Sequence, residues 1–321
     1  MEAKIAYMVL AHHQPEQLAR LVARLDQPDA YFFIHFDKKS PFKDKVEDLV
    51  KATNPVVVRC DHEVNWMGYT TIEAEITLME SAVAAGVPFK YYVLLSGQDY
   101  PIKSNAFIND FFSAHNEDFL SYNKITHLGG DYMLKHTRYH FRDIPYINPR
   151  NPKKIPALVY LYFGLHRCFA KFFPKKEFYR GMELYFGSQW FALRHETISY
   201  ILQFLKENKG YIDDMRYTDG PDELFFHTII MNSDRRHNVY GYERYVEWQN
   251  KRKKGDKYSP LYSSLRYMDW SPHLKSKPAV LDMTYWDALK NSQDLFARKV
   301  DQVASAELMD ELDKRILNFI A

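Results

Sequence analysis

The stretch Tyr91-Tyr-Val-Leu-Leu-Ser-Gly-Gln-Asp-Tyr-Pro-Ile102 decides the fold. Tyr91 to Leu95 is a short run of aromatic, β-branched and aliphatic residues, which reads as a buried strand. It breaks into Ser96, Gly97, Gln98 and Asp99, all small or polar, with Pro101 behind them. A hydrophobic strand that ends in a polar, glycine-containing turn has the form of the C-terminal edge of an α/β sheet. Ligands of open α/β sheets bind at that edge.

The same unit recurs toward the N-terminus. Ile5 to Ala11 is an apolar run that ends in His12-His13-Gln14-Pro15, and Leu18, Leu21, Val22 and Leu25 follow at helical spacing. Tyr31 to Phe36 reads as a second strand, ending in Asp37-Lys38-Lys39-Ser40, with a short helix from Phe42 to Val50. Val56 to Val58 is a third strand, followed by Trp66-Met-Gly-Tyr69. Thr70 or Thr71 is placed to cap a helix through Ile76, Met79, Ala82 and Val83. This alternation predicts an α/β fold with a mainly parallel central sheet and helices on both faces. The tips His12-His13, Asp37 and Asp99 then lie on one edge and share a cleft. His12 and His13, adjacent at a strand end, are expected to point in opposite directions, which argues against a metal site.

Composition excludes several classes. The 321 residues are 46% hydrophobic and 26% charged, enough for a sizeable core without staples. A net charge of +2 gives no overall pull toward nucleic acid or membrane. The 16% of aromatic residues can fill a core or stack on sugars and bases. Cys60 and Cys168 make no disulfide framework and fit a reducing compartment. Met1-Glu-Ala-Lys-Ile5 has no charged-then-apolar signal, and no apolar run reaches the roughly 18 residues of a membrane span. A cytoplasmic chain is expected. No Gly-x-Gly-x-x-Gly follows the first strand, and neither a Gly-x-x-x-x-Gly-Lys loop nor zinc-like Cys/His spacing occurs. Phosphate must be handled by something other than a glycine-rich cradle.

Six motifs then stand in one order. They are Ile34-His-Phe-Asp-Lys-Lys-Ser40, Val64-Asn-Trp-Met-Gly-Tyr69, Leu94-Leu-Ser-Gly-Gln-Asp-Tyr-Pro-Ile-Lys103, Gly187-Ser-Gln-Trp-Phe191, Pro221-Asp-Glu223 and Leu295-Phe-Ala-Arg-Lys299. Together they resemble the core-2/I-branching N-acetylglucosaminyltransferase and peptide O-xylosyltransferase family, over residues 4 to about 301. The resemblance implies a GT-A-like nucleotide-diphospho-sugar transferase fold, inversion at the anomeric carbon, and no divalent metal or other cofactor. The absence of any Asp-x-Asp pair agrees, since one carboxylate at Asp99 is a poor magnesium site. The expected organisation is a single domain, 1–321, with a nucleotide-sugar half to about residue 122 and an acceptor-binding and catalytic half from about 123.

Residue by residue, the resemblance assigns Glu223 as the base that takes the acceptor hydroxyl proton, and Arg266 and Lys299 as the cations that grip the departing diphosphate. His12, Asp37 and Asp99 would sit by the nucleotide, and Trp66, Gly68 and Tyr69 by the donor. Ser188, Gln189 and Trp190 would meet the acceptor. Bland readings stand beside these: a helix start for Thr218 to Glu223, surface cations for Arg266 and Lys299, and an ordinary buried tryptophan for Trp190.

Between sheet and base the composition shifts. Arg150, Lys153, Lys154, Arg167, Lys171, Lys175, Lys176 and Arg180 are interleaved with Leu158, Tyr160, Leu161, Tyr162, Phe163, Leu165, Phe169, Phe172 and Phe173. Three readings are open for 150–180: a basic amphipathic helix on an anionic membrane near a lipid-linked acceptor, an arm lining the acceptor cleft, or a helix with an aromatic core face. Lys251 to Lys257 reads as a basic loop, and Ala306 to Leu317 as a helix docking on the sheet. The expected function is transfer of N-acetylglucosamine or xylose from a UDP-sugar to a glycan or lipid-linked hydroxyl, with no nucleic-acid partner. The alternatives are a non-catalytic nucleotide-sugar or glycan-binding protein, and a glycoside hydrolase, which needs two facing carboxylates.

Overall fold

The computed structural model describes residues 3–169, 172, 175–253, 256–257, 264–271, 273–274 and 276–317, the side chains of 167–169 and 316–317 excepted. The expected basic loop at 251–257 lies partly outside them. The strands in chain order are β1 Ile5–Ala11, β2 Ala30–Phe36, β3 Val57–Arg59, β4 Tyr91–Ser96, β5 Asp99–Pro101, β6 Phe119–Leu120, β7 Asn123–Lys124, β8 Tyr185–Phe186, β9 Phe191–Arg194, β10 Arg266–Tyr267 and β11 Phe296–Arg298. The central sheet has the order β3-β2-β1-β4-β9-β6. Its first four strands are parallel, β9 runs antiparallel to β4, and β6 antiparallel to β9. The expected mixed α/β architecture with a mostly parallel sheet is what the chain adopts.

Strands buried on both faces explain the continuous apolar runs. In β1, Ala6 and Met8 face one layer while Ile5, Tyr7 and Val9 face the other. Ile72, Leu78, Met79 and Ala82 of the helix Thr70–Ala84 cover the first face, joined by Ile198 and Ile201 of His195–Glu207. Leu18, Leu21, Val22 and Leu25 of the helix Pro15–Leu25 cover the second, with Ile108 and Phe112 of Asn105–Ala114. The helix Pro15–Leu25 has no side-chain cap. Its placement therefore rests on that stripe, where each fully buried side chain contributes about 1.5–3 kcal/mol.

A second sheet, β10-β11-β5, brings the C-terminal region onto the turn after β4, with β5 antiparallel and β10 parallel to β11. Against it packs the helix Ala306–Leu317, through Leu308, Met309 and Leu312 on Tyr100, Ile102, Ala297 and Val300. That helix was expected on the central sheet. Leu308, Met309 and Leu312 of the expected stripe are buried, Ile316 and Leu317 lying outside the described side chains; the surface that receives the helix differs, because Asp313 accepts hydrogen bonds from Tyr100 and Arg20. Thr218 to Glu223 is not the start of a continuous helix. Pro221–Glu223 is one 3-10 turn, Leu224 departs from helical angles (φ −131°, ψ −36°), and the α-helix begins at Phe225.

Two histidines are folded neutral. The Nε2 of His35 accepts from the His62 amide at 3.2 Å, and burial brings its pKa down to about 4. The Nε2 of His227 donates to the Ser188 carbonyl at 2.9 Å, its Nδ1 is buried without a partner, and burial again brings the pKa to about 4. The unfolded chain binds these protons at the ordinary value of 6.5, so between 6.5 and 4 it holds more protons than the folded chain. Stability is therefore fully present above that window and is lost as pH falls through it. Urea unfolding at pH 5 should show a loss relative to pH 7 on the order of 2 kcal/mol per histidine. His35→Gln should flatten the dependence, and an unchanged pH slope would count against this assignment.

Candidate active site

The sheet topology gathers the predicted tips on one edge. The Asp37 amide donates to the Ala11 carbonyl and the Gly97 amide to the Leu10 carbonyl, both at 2.9 Å, so the ends of β1, β2 and β4 lie side by side. Val300 N donates to the Gln98 carbonyl, and Gln14 Nε2 to Asp301 Oδ2 at 2.8 Å, which brings Lys299 to Asp301 onto the same edge. Contrary to expectation, His12 and His13 do not diverge. Their rings stack with centroids 4.2 Å apart and planes 4° from parallel, because the strand ends at Ala11 and both residues lie in a bend. Asp37 is buried and turned into its own loop, accepting from the Lys39 amide and pairing with the Lys39 ammonium at 3.1 Å.

Asp99 is the hub of the edge. It is fully buried, and Oδ2 accepts from the Ser96 amide at 3.0 Å and from Arg266 Nε at 3.1 Å, while Oδ1 accepts from Arg298 Nη1 at 3.1 Å. The three residues meet because β5, β10 and β11 are neighbours, with Arg298 opposite Asp99 and Arg266 opposite Phe296. Arg266 also donates to the carbonyls of Ser264 and Leu94. The expectation that Arg266 offers its fork to a diphosphate is not met in this structure: its side chain is wholly buried and turned inward on Asp99. Trp190 is stacked by both guanidiniums, with Arg298 4.4 Å and Arg266 5.4 Å from its centroid. The indole is buried, so it forms one wall of the hub.

The Trp66–Tyr69 turn is held from a distant part of the chain. Neither Thr70 nor Thr71 caps the helix Thr70–Ala84. Asp143 does so instead, accepting from Tyr69 N at 2.8 Å, Thr70 N at 3.3 Å and Thr70 Oγ1 at 2.7 Å. The carboxylate meets unpaired amides and the positive end of the helix dipole. Gly68 is required by this contact, since a Cβ there would stand 2.1 Å from Asp143 Oδ1. Tyr69 is buried in the core against Phe225, with Arg216 over its ring, and does not face the cleft as expected. Trp66 is exposed, with Arg150 stacked 3.9 Å from its centroid.

Glu223 ends the 3-10 turn Pro221–Glu223, which follows Gly220, whose amide donates to the Met67 carbonyl of the tryptophan turn. The carbonyl of Glu223 accepts from the Gly187 amide at 2.9 Å, and its Oε2 pairs with Lys135 Nζ at 2.8 Å. The base turn and the tryptophan wall are thus joined by residues 187–190, at most about 14 Å when extended. Only glycine fits at 187, where a Cβ would lie 1.8 Å from the Ser121 carbonyl oxygen. Ser188 N donates to Ser121 Oγ. Gln189 turns its amide inward to donate to Glu75 Oε1 at 2.7 Å, rather than outward to an acceptor. Glu75 is fully buried, and burial pushes its pKa well up. Asp222, beside the base, has Oδ1 sealed from solvent without a partner; burial first and Glu223 second raise its pKa.

Cations supply the other half. Burial lowers the pKa of Lys299, and Arg298 and Arg150 push the same way. Among the described residues no carboxylate lies within salt-bridge reach of Lys299 or Arg150. Sequence reading missed Arg298 as a site residue, although it stands next to Lys299 in Phe-Ala-Arg-Lys. It also missed Lys135 and Asp143, which carry no local signal because their partners are 88 and 74 residues away. Among the described residues no three His, Cys, Asp or Glu side chains converge as metal ligands would.

The protein-family model for the Core-2/I-Branching enzyme matches residues 5–289. A human beta-1,3-galactosyl-O-glycosyl-glycoprotein beta-1,6-N-acetylglucosaminyltransferase 3 is 31% identical over 109 residues, 33% of this chain and 25% of the relative. A mouse N-acetyllactosaminide beta-1,6-N-acetylglucosaminyl-transferase is 24% identical over 233 residues, 70% of this chain and 52% of its own. A xylosyltransferase of Ciona intestinalis is 22% identical over 328 residues, 98% of this chain and 34% of its own. The chain spans about half or less of the length of these curated relatives. Among solved structures, apo mouse xyloside xylosyltransferase 1 gives a TM-score of 0.28 at 11% identity, covering 70% of this chain and 81% of that one. A cytidylyltransferase from Leptospira borgpetersenii serovar Hardjo-bovis gives 0.26 at 15%, covering 37% and 54%.

The Asp143–Gly68 contact is testable by a double-mutant cycle in urea. Asp143→Ala should cost on the order of 1 kcal/mol as a lost cap. Gly68→Ala should cost about 1–3 kcal/mol by overpacking, and less once Asp143 is already alanine. Strict additivity would show that the carboxylate does not occupy the space above Gly68.

Proposed function

The chain belongs to the Core-2/I-Branching enzyme family, and we propose that it is an inverting glycosyltransferase that moves a sugar from UDP to an acceptor hydroxyl without a divalent metal. N-acetylglucosamine and xylose are the favoured donor sugars, since relatives of both kinds resemble this chain. A glycan or a lipid-linked sugar is the favoured acceptor. The observation that carries the reading is the joining of one carboxylate, Glu223, to a cation-rich wall through the segment 187–190.

In a single displacement the acceptor oxygen bonds to the anomeric carbon as the bond to the phosphate oxygen breaks. The hydroxyl proton goes to Glu223, and UDP departs with the bonding electrons. Glu223 has one oxygen held by Lys135, and its Oε1 has no protein partner among the described residues. A base must stand within about 2.6–3.2 Å of the proton it takes, and Oε1 is the atom left to do so. Lys135 orients the carboxylate without occupying both oxygens.

The leaving diphosphate gathers negative charge in the transition state. Preorganised cations aimed at that position stabilise it with no reorganisation. Lys299 and Arg150 lack a carboxylate partner among the described residues, and Arg150 and Arg298 both lie in the electrostatic neighbourhood of Lys299. Like charges held close together raise the energy of the empty arrangement, and a diphosphate between them relieves that repulsion. Arg266 contributes indirectly, by sharing Asp99 with Arg298 and so holding it against Trp190.

Glu223→Gln should lower transfer by about 10²–10⁴-fold with UDP binding unchanged. Full turnover in that variant would remove Glu223 as base. Lys299→Ala should weaken UDP binding about 10–100-fold by calorimetry, the loss of one charge-assisted contact. Product NMR should show the anomeric configuration opposite to that of the donor, and retention would overturn the single-displacement mechanism.

A further inference from the structure

The helix Pro156–Phe169 has no ordinary place in a water-facing surface. From Pro156 to His166 no side chain is buried, yet every residue but His166 is apolar, glycine or tyrosine. Val159, Tyr162 and His166 turn toward the protein. The Tyr162 hydroxyl accepts from the Phe141 amide, and His166 Nε2 donates to the Tyr139 carbonyl at 3.0 Å. A surface helix normally sets polar residues opposite such contacts. Here the outward face is Leu158, Tyr160, Leu161 and Leu165, with Tyr160 80% and Leu161 55% exposed. A helix that is apolar all round requires a second apolar environment.

Charge identifies that environment. No Asp or Glu stands between Asp143 and Glu177, while Lys153 and Lys154 precede the helix and Lys175 follows it. All three are exposed, and among the described residues only Lys153 has an acidic partner, Glu63 at 3.1 Å. Lys176, read from the sequence as part of the same basic face, is instead buried against Thr218 and Asp214. Among the described side chains the cations thus flank the apolar face rather than interrupt it, while Arg167 and Lys171, read from the sequence as part of the basic set, lie outside the described side chains. Fourteen residues make a rod about 21 Å long, too short to span a bilayer. Among the described residues no helix is long and apolar enough to cross a membrane.

We infer that this helix lies in the interface of an anionic lipid bilayer, its leucine and tyrosine face among the acyl chains and its flanking lysines on the headgroups. The inference goes beyond the transferase reading and does not depend on it. The helix is nevertheless placed to serve the cleft. Asn148 and Asn151 tie its entry to Trp66 and Asn65, while His140 and Arg142 tie the preceding segment to Tyr217 and Asp219. A membrane under it would therefore border both the tryptophan loop and the base turn.

The test is co-sedimentation with vesicles of phosphatidylcholine alone and of phosphatidylcholine mixed with phosphatidylglycerol. The protein should bind the anionic vesicles at least about tenfold more tightly than the neutral ones, with binding weakened by salt. Leu161→Glu/Leu165→Glu should abolish binding with an unchanged thermal midpoint, because both side chains are already exposed. Lys153→Glu/Lys154→Glu, which leaves the apolar face intact, should remove the preference for anionic vesicles. No binding to anionic vesicles, or equal binding by all variants, would overturn the inference. So would a wild-type dimer in analytical ultracentrifugation that Leu161→Glu/Leu165→Glu splits, since a second copy would then cover the face.

Discussion

A carboxylate with no exposure to water is costly unless it is matched, and Asp99 is matched by two guanidiniums and one amide. This constraint organises the rest of the molecule. Asp99 opens β5, directly after the turn that follows the central strand β4, whereas Arg266 and Arg298 come from strands about 170 to 200 residues later. Satisfying one buried charge therefore folds the C-terminal region onto the edge of the sheet. The same ion triad holds both guanidiniums against Trp190 and sets Lys299 beside Arg298. Removing either arginine would leave part of a buried charge unpaired, so the arrangement is all-or-none on the scale of folding stability.

The other side of the cleft is built from acids with different tasks. Asp143 is ionic glue between a distant segment and a helix start. Glu75 is buried, and its role is to hold Gln189. Asp222 backs the base turn, and Glu223, which is not sealed from solvent, has one oxygen held by Lys135 and the other without a protein partner among the described residues. Environment, and not residue type, separates a structural acid from a reactive one.

The period of the hydrophobic pattern was legible because it reports burial directly. Ile5–Ala11, Tyr91–Leu95 and the stripe Leu18 to Leu25 could be read without knowing their neighbours, and the sheet edge followed from the polar tips after them. What was illegible is what depends on partners far along the chain. Thr70 looked like a cap until Asp143 arrived from 73 residues away. Arg266 looked like a phosphate cation because motif order says which residues gather, and not that Asp99 takes up both Arg266 and Arg298. The stacking of His12 on His13 was missed because alternation along a strand was extended past the strand's end. In 150–180 the apolar spacing was readable, but the withdrawal of Lys176 into the interior appeared only in three dimensions.

The central claim is that fixed cations, and not a bound metal, receive the diphosphate. The most direct measurement is the thermal midpoint of the protein with UDP-N-acetylglucosamine and with UDP-xylose, each in the presence and absence of EDTA. A ligand that binds only the folded state raises the midpoint by mass action. A rise with at least one of the two that persists undiminished in EDTA is the predicted result. A rise that EDTA abolishes, or none with either nucleotide sugar at saturating concentration, would contradict the account.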